Sequence, residues 1–136
     1  MEGPVGSSMN AKQFELVEAF GKGIDKSINA YQVLHNAICI TTPFMDFAGD
    51  DFHIYATEDG QITDGGSTIS MFQSLRCYQD YLDWPVREDW MVRHGIEENA
   101  GEMVCSDLSP CGIFRYAQGL SAMRRMFEAH PIGDTE

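Results

Sequence analysis

The sequence predicts a single α+β domain: a three-stranded antiparallel meander and a small second hairpin, packed with about four helices. Two patterns carry this prediction. Apolar residues recur every three or four positions near both ends of the chain, whereas short β-forming runs separated by strong turn signals fill the middle. A length of 136 residues with 43% apolar content suits one hydrophobic core.

From Ala11, the positions Phe14, Val17, Phe20, Ile24 and Ile28 mark an amphipathic helix, with Gly21 and Gly23 weakening its middle. Tyr31–Leu34 leads into a first strand within Asn36–Thr42, ended by Pro43. A loop, Met45–Asp50, precedes a second strand over Asp51–Thr57. Glu58-Asp59-Gly60-Gln61 is a hairpin turn, because Asp-Gly accepts the positive φ such turns require. Ile62–Asp64 forms the third strand. Gly65-Gly66 then breaks regular structure before a helix capped by Ser67 or Thr68, carrying Ile69, Phe72 and Leu75.

Asp83 is placed to cap a further helix with Pro85 in its first turn and Val86 and Trp90 on one face. Gly95 closes that helix. Ile96–Glu98 and Glu102–Cys105, joined by Asn99-Ala100-Gly101, read as the second hairpin. Asp107 or Ser109 caps a long last helix burying Ile113, Ala117, Leu120 and Phe127. The domain is expected over 10–130, with a flexible or vector-derived start at 1–9 and a flexible tail at 131–136.

Nine Lys and Arg against 21 Asp and Glu leave a formal net charge of −12. This excludes direct nucleic-acid binding through a general basic face and disfavours anionic membranes. No apolar run is long enough to span a bilayer, and Met1–Asn10 is not a secretory signal. Cys39, Cys77, Cys105 and Cys111 include no Cys-x-x-Cys pair, so the expectation is four reduced thiols in a cytoplasmic protein.

Three motifs share an order found elsewhere: Thr42-Pro43-Phe44-Met45-Asp46, Asp51-Phe52-His53-Ile54-Tyr55 and Gly60-Gln61-Ile62-Thr63-Asp64-Gly65-Gly66. With Gly95-Ile96 and Gly101-Glu102-Met103 after them, this order resembles the prokaryotic and phage family called domain of unknown function 1828. The likeness covers most of Lys12–Phe127. It departs where Gly65 stands in place of a second Asp common in the family. The resemblance implies a small α+β fold of bacterial or phage origin and carries no established catalytic activity.

Between Ser27 and Leu75 the chain has no Lys or Arg, but it has Asp46, Asp50, Asp51, Glu58, Asp59 and Asp64. These carboxylates have three readings: solvated turns, a protein-binding acidic face with Trp84 as an aromatic contact, or a Mg²⁺ site. A metal-dependent hydrolase or nuclease would use Asp46, Asp51 and Asp64, with His53 as general base. It lacks a nearby Lys to stabilise developing charge. His53 shares a strand face with Tyr55, and His35, His94 and His130 have no metal-ligand spacing. Arg115, Arg124 and Arg125 on the last helix read as salt-bridge partners within the chain or across a homodimer.

The leading expectation is a non-enzymatic module without a cofactor. It would bind a protein partner that has a basic surface, for instance as a phage- or accessory-gene inhibitor of a nucleic-acid-handling defence complex. The metal-dependent hydrolase and the homodimeric structural module stand as alternatives.

Overall fold

A computed structural model describes residues 9–33, 36–46 and 49–128. Of the segments expected to be flexible, 1–9 and 131–136, all but Met9 lie outside the described residues, as do His35 and His130. Among the described residues the architecture is α+β: five helices and one six-stranded antiparallel sheet of order β1-β2-β3-β4-β6-β5. The meander and the second hairpin are therefore one sheet, with an additional strand at the edge.

Helix α1, Ala11–Ile24, starts at a capping box in which Asn10 and Gln13 bond each other's backbone N–H. Its buried face runs through Gln13, Leu16 and Phe20, while Phe14 is 51% exposed. The expected face is thus rotated by about one position. A polar residue holds the inner place because the Gln13 side-chain amide donates to the carbonyls of Asn36 and Ala56 at 2.7 and 3.1 Å.

Strand β1, Asn29–Gln32, was not anticipated and, among the described residues, pairs only with β2, Ile38–Met45. Strand β2 runs past Pro43 through an irregularity in register between Thr41 and Met45, and this break in pairing accommodates the proline. Strand β3, Asp51–Ala56, and β4, Ile62–Thr63, flank the expected hairpin turn, closed by the Thr57 N–H on the Gln61 carbonyl.

Helix α2, Ser67–Ser74, receives no cap from Ser67 or Thr68; Asp64, just ahead of it, accepts from the backbone N–H of Gly66 and Thr68. A five-residue helix α3, Tyr78–Leu82, precedes α4, Arg87–Arg93. Neither Asp83 nor Pro85 lies within α4. Met91 is its buried residue, and Val86 is exposed. Strands β5, Ile96–Asn99, and β6, Glu102–Cys105, turn through Ala100 and Gly101, both at positive φ, as a two-residue hairpin loop demands. Helix α5, Pro110–Glu128, is capped by Ser109, whose hydroxyl accepts from the Gly112 N–H.

Alternation sorts the sheet into two faces. Ile38, Ile40, Phe52, Ile54, Ala56, Ile62 and Met103 are essentially inaccessible and pack with Leu16 and Phe20 of α1 and Ile113, Tyr116 and Leu120 of α5. Phe72, Tyr81, Trp84 and Phe127 extend this core as a ring cluster, with centroids 5.1–6.3 Å apart where they touch.

The α4–β5 corner is seated on α5 at Gly119. The Trp90 indole donates to the Gly119 carbonyl at 3.1 Å, and the Trp90 and His94 rings lie 4.3 Å apart. A Cβ at residue 119 would fall 2.3 Å from His94 Cγ. Gly119→Ala is therefore expected to cost about 1–3 kcal/mol through forced displacement of the corner, read as a lower urea midpoint at unchanged slope.

Candidate functional site

The second face of the sheet carries the outward residues of every strand. One cross-strand row runs Tyr31, Cys39, Tyr55, Thr63, Val104 and Glu97. Thr41 and His53 stand opposite each other in a second row, and Asn99 faces Glu102 on the C-terminal hairpin. Exposure on this face is uneven: Tyr31 is 44% exposed, His53 and Tyr55 are half-buried, and Thr63 and Val104 are buried. Cys39, between the two tyrosines, is buried. The Tyr31 hydroxyl titrates above its ordinary range through its hydrogen bond with the Cys39 side chain. Burial first, and the same thiol second, raise that of Tyr55.

The charge on this face is of one sign. None of the nine Lys and Arg lies in a strand; all sit on helices or the turns that adjoin them. The ionised residues of the outward set are Asp51, Glu97 and Glu102. Where the β3–β4 turn overhangs the face, a cavity of about 520 Å³ opens, lined by Tyr55, Glu58, Asp59, Thr63, Gly65 and Glu102 among others, with no Lys, Arg or His among the described residues. A hollow of similar volume beside the end of α1 is lined by both signs, Glu18 and Asp25 with Lys22 and Lys26, and has no such selectivity.

The six acidic residues singled out in the sequence separate into two groups. Asp50, Asp51, Glu58 and Asp59 are exposed. Asp46 and Asp64 are not part of any surface face. Asp46 forms a two-pronged ion pair with Arg124, Oδ1 to Nε at 2.7 Å and Oδ2 to Nη2 at 2.8 Å. The remaining guanidinium nitrogen donates to Ser67 and Thr68, and the group lies over the Phe52 ring.

Asp64 is 1% exposed. Its Oδ1 accepts from the N–H of Gly66 and Met103 at 2.8 and 3.0 Å, and its Oδ2 from that of Thr68 at 2.9 Å. The trio Asp46, Asp51 and Asp64 is therefore not available as a metal site: two members already spend their oxygens on an arginine and on backbone amides. Among the described residues, no group of three or more His, Cys, Asp and Glu is arranged to hold a metal. Arg124 is the intramolecular salt-bridge partner that its helix position suggested.

Trp84 is half-buried between Trp90 and Phe127, with centroids at 5.6 and 5.2 Å, away from the sheet face. Glu97 and Glu102 were not singled out in the sequence. Alternation within their hairpin puts them on one face, but only the Thr63–Val104 pairing brings that face beside the meander. Glu102 is fixed there by the Thr63 hydroxyl, which donates to its Oε1 at 2.6 Å.

The chain matches no family model, no curated protein and no solved structure. These comparisons lend no support to a family for the motifs quoted above. The structure gives those motifs internal tasks: Asp46 holds Arg124, and Asp64-Gly65-Gly66 forms the junction of β4, β6 and α2. No helix among the described residues is long and apolar enough to cross a membrane.

Two expectations follow from this chemistry. In Asp64→Asn, an amide N–H₂ would confront the Thr68 N–H, leaving a buried donor unpaired; a loss of about 1–3 kcal/mol is expected in chemical denaturation, and more for Asp64→Ala. Of the cysteines, Cys111 alone is exposed. Burial pushes the Cys105 thiol up to about 12 and raises that of Cys77. The fold thus favours the neutral thiol, and at pH 8 only about one Cys105 in ten thousand is a thiolate. A thiol reagent should label Cys111 quickly in the native protein and the other three only after denaturant is added.

Proposed function

We propose that this chain is a non-enzymatic binding module that docks the outward face of its sheet on a basic surface of another protein. The observation that carries this reading is the partition of charge: the strands contain no Lys or Arg, and the outward face presents Asp51, Glu97 and Glu102 beside the Glu58-Asp59 turn. An approaching cationic surface meets one sign of charge from the strand residues of the face, with Lys12 of α1 lying against Gly60 of the turn. This excess of carboxylates accelerates encounter and rejects acidic partners.

The cavity under the β3–β4 turn gives the contact a centre. A partner's arginine or lysine can lay its stem on the Tyr55 ring and its charge among Glu58, Asp59 and Glu102. The resemblance to a phage and bacterial family suggests a setting in which the basic surface belongs to a nucleic-acid-handling defence complex, with this chain as its inhibitor.

The test is retention of partners from lysate on immobilised wild type and on the Asp51→Lys/Glu97→Lys double variant, at about 0.15 M and about 1 M salt, where the screening length falls from roughly 8 to roughly 3 Å. The expected result is a basic protein held by wild type at low salt, released at high salt, and lost at least tenfold with the variant. Retention insensitive to both salt and charge reversal would contradict the proposal.

A further inference from the structure

The two edges of the sheet are built differently. The β5 edge carries Glu97 and Glu98, the kind of charge that discourages another strand from pairing there. The β1 edge, Asn29-Ala30-Tyr31-Gln32, has no charge, no proline and no irregularity in its register with β2. Asn29, Tyr31 and Gln32 are all exposed, Tyr31 by 44%.

The hydrogen-bonding direction of β1 can be read from its hairpin. The Val33 N–H donates to the Ala37 carbonyl at 2.8 Å, which turns the Val33 backbone toward β2. In the same register Tyr31 lies opposite Cys39 and Asn29 opposite Thr41, so these residues also face β2. The N–H and C=O groups of Ala30 and Gln32 therefore point away from the sheet.

We infer that the β1 edge is a self-pairing surface, and that its occupant is β1 of a second copy of this chain, antiparallel about a two-fold axis at Tyr31. In that register Ala30 lies opposite Gln32 of the partner subunit. Their outward groups exchange four backbone hydrogen bonds over the two copies, and Tyr31 meets its own counterpart as a cross-strand aromatic pair. One sheet then runs through both copies.

The charge distribution favours this edge for a second copy. Each chain carries −12, so contact between copies is repulsive wherever carboxylates approach, and β1 brings none to the seam. A four-residue seam is small, which makes the dimer reversible and concentration-dependent. Added salt should strengthen it by screening the repulsion between chains. That is the opposite of its effect on docking to a basic partner, so the two readings can fail independently.

The experiment is sedimentation of the full chain up to millimolar concentration at about 0.15 M and about 1 M salt. Four forms are compared: wild type, Gln32→Thr, Gln32→Pro and Tyr31→Lys. Gln32→Pro removes an outward N–H without touching a β1–β2 bond. Wild type and Gln32→Thr should show a monomer–dimer equilibrium several-fold tighter at high salt, with amide-exchange protection at Ala30 and Gln32 rising with concentration. Gln32→Pro and Tyr31→Lys should stay monomeric throughout, with an unchanged melting temperature. A wild type that remains monomeric at high salt overturns the inference, as does a dimer that survives Gln32→Pro. Should the proline variant unfold, Tyr31→Lys and the exchange measurement decide alone: a dimer in Tyr31→Lys, or no added protection, overturns it.

Discussion

The fold depends on one buried carboxylate. Between β4 and β6 the ladder has a single register pair, Thr63 with Val104. Asp64 makes this weak seam secure. Its own N–H donates to the Met103 carbonyl at 3.1 Å, and its side chain accepts from the Met103 N–H, closing a reciprocal pair across the junction. The same carboxylate takes the first free amides of α2, where a negative charge also suits the helix dipole. An acidic residue taken out of water is tolerable only when its lone pairs are met, and here three backbone N–H groups meet them. Without Asp64 the meander and the C-terminal hairpin would have little to join them into one sheet.

The second buried charge works along a different axis. Arg124, on α5, reaches Asp46 beyond the end of β2 and Ser67 and Thr68 at the start of α2, so three segments distant in sequence converge on one guanidinium. Such a pair contributes little net stability compared with an apolar filling, but breaking it leaves an uncompensated charge. Its value is geometric: the planar fork fixes where α5 lies against the sheet. The Ser121 hydroxyl adds to this by donating to the Met45 carbonyl nearby. Asp64, through backbone amides, and Arg124, through the Ser67 and Thr68 hydroxyls, thus both hold the start of α2.

These arrangements explain how much could be read in the sequence. Both hairpin turns were legible because their chemistry is local: Gly60 and Gly101 take the positive φ the turns require without a Cβ penalty, with Ala100 drawn into the same region beside Gly101. The long helices were legible from periodicity, although the inner face of α1 was misjudged because Gln13 is buried through bonds to Asn36 and Ala56, far along the chain. Strand β1 has no alternation of its own and exists only because β2 offers a pairing edge. The ion pairing of Asp46 and the burial of Asp64 had no local signal either. Their partners, Arg124 and Met103, are 78 and 39 positions away, and a count of carboxylates treats all six as equivalent.

Removing those two residues from the surface leaves the acidic reading better defined. A charge run in sequence is an average over both faces of a sheet, whereas a partner sees only one. Here the core-facing set of strand residues is apolar wherever it meets the helices, so strand charge can appear only on the outward face or at the β5 edge. Every cation is meanwhile carried by helices and their adjoining turns. The asymmetry is therefore a product of layering, not of composition alone. Carboxylates held on one rigid surface repel one another by about 1 kcal/mol for each close pair even in water. The isolated fold bears that cost, and a cationic surface docking on the face would relieve it.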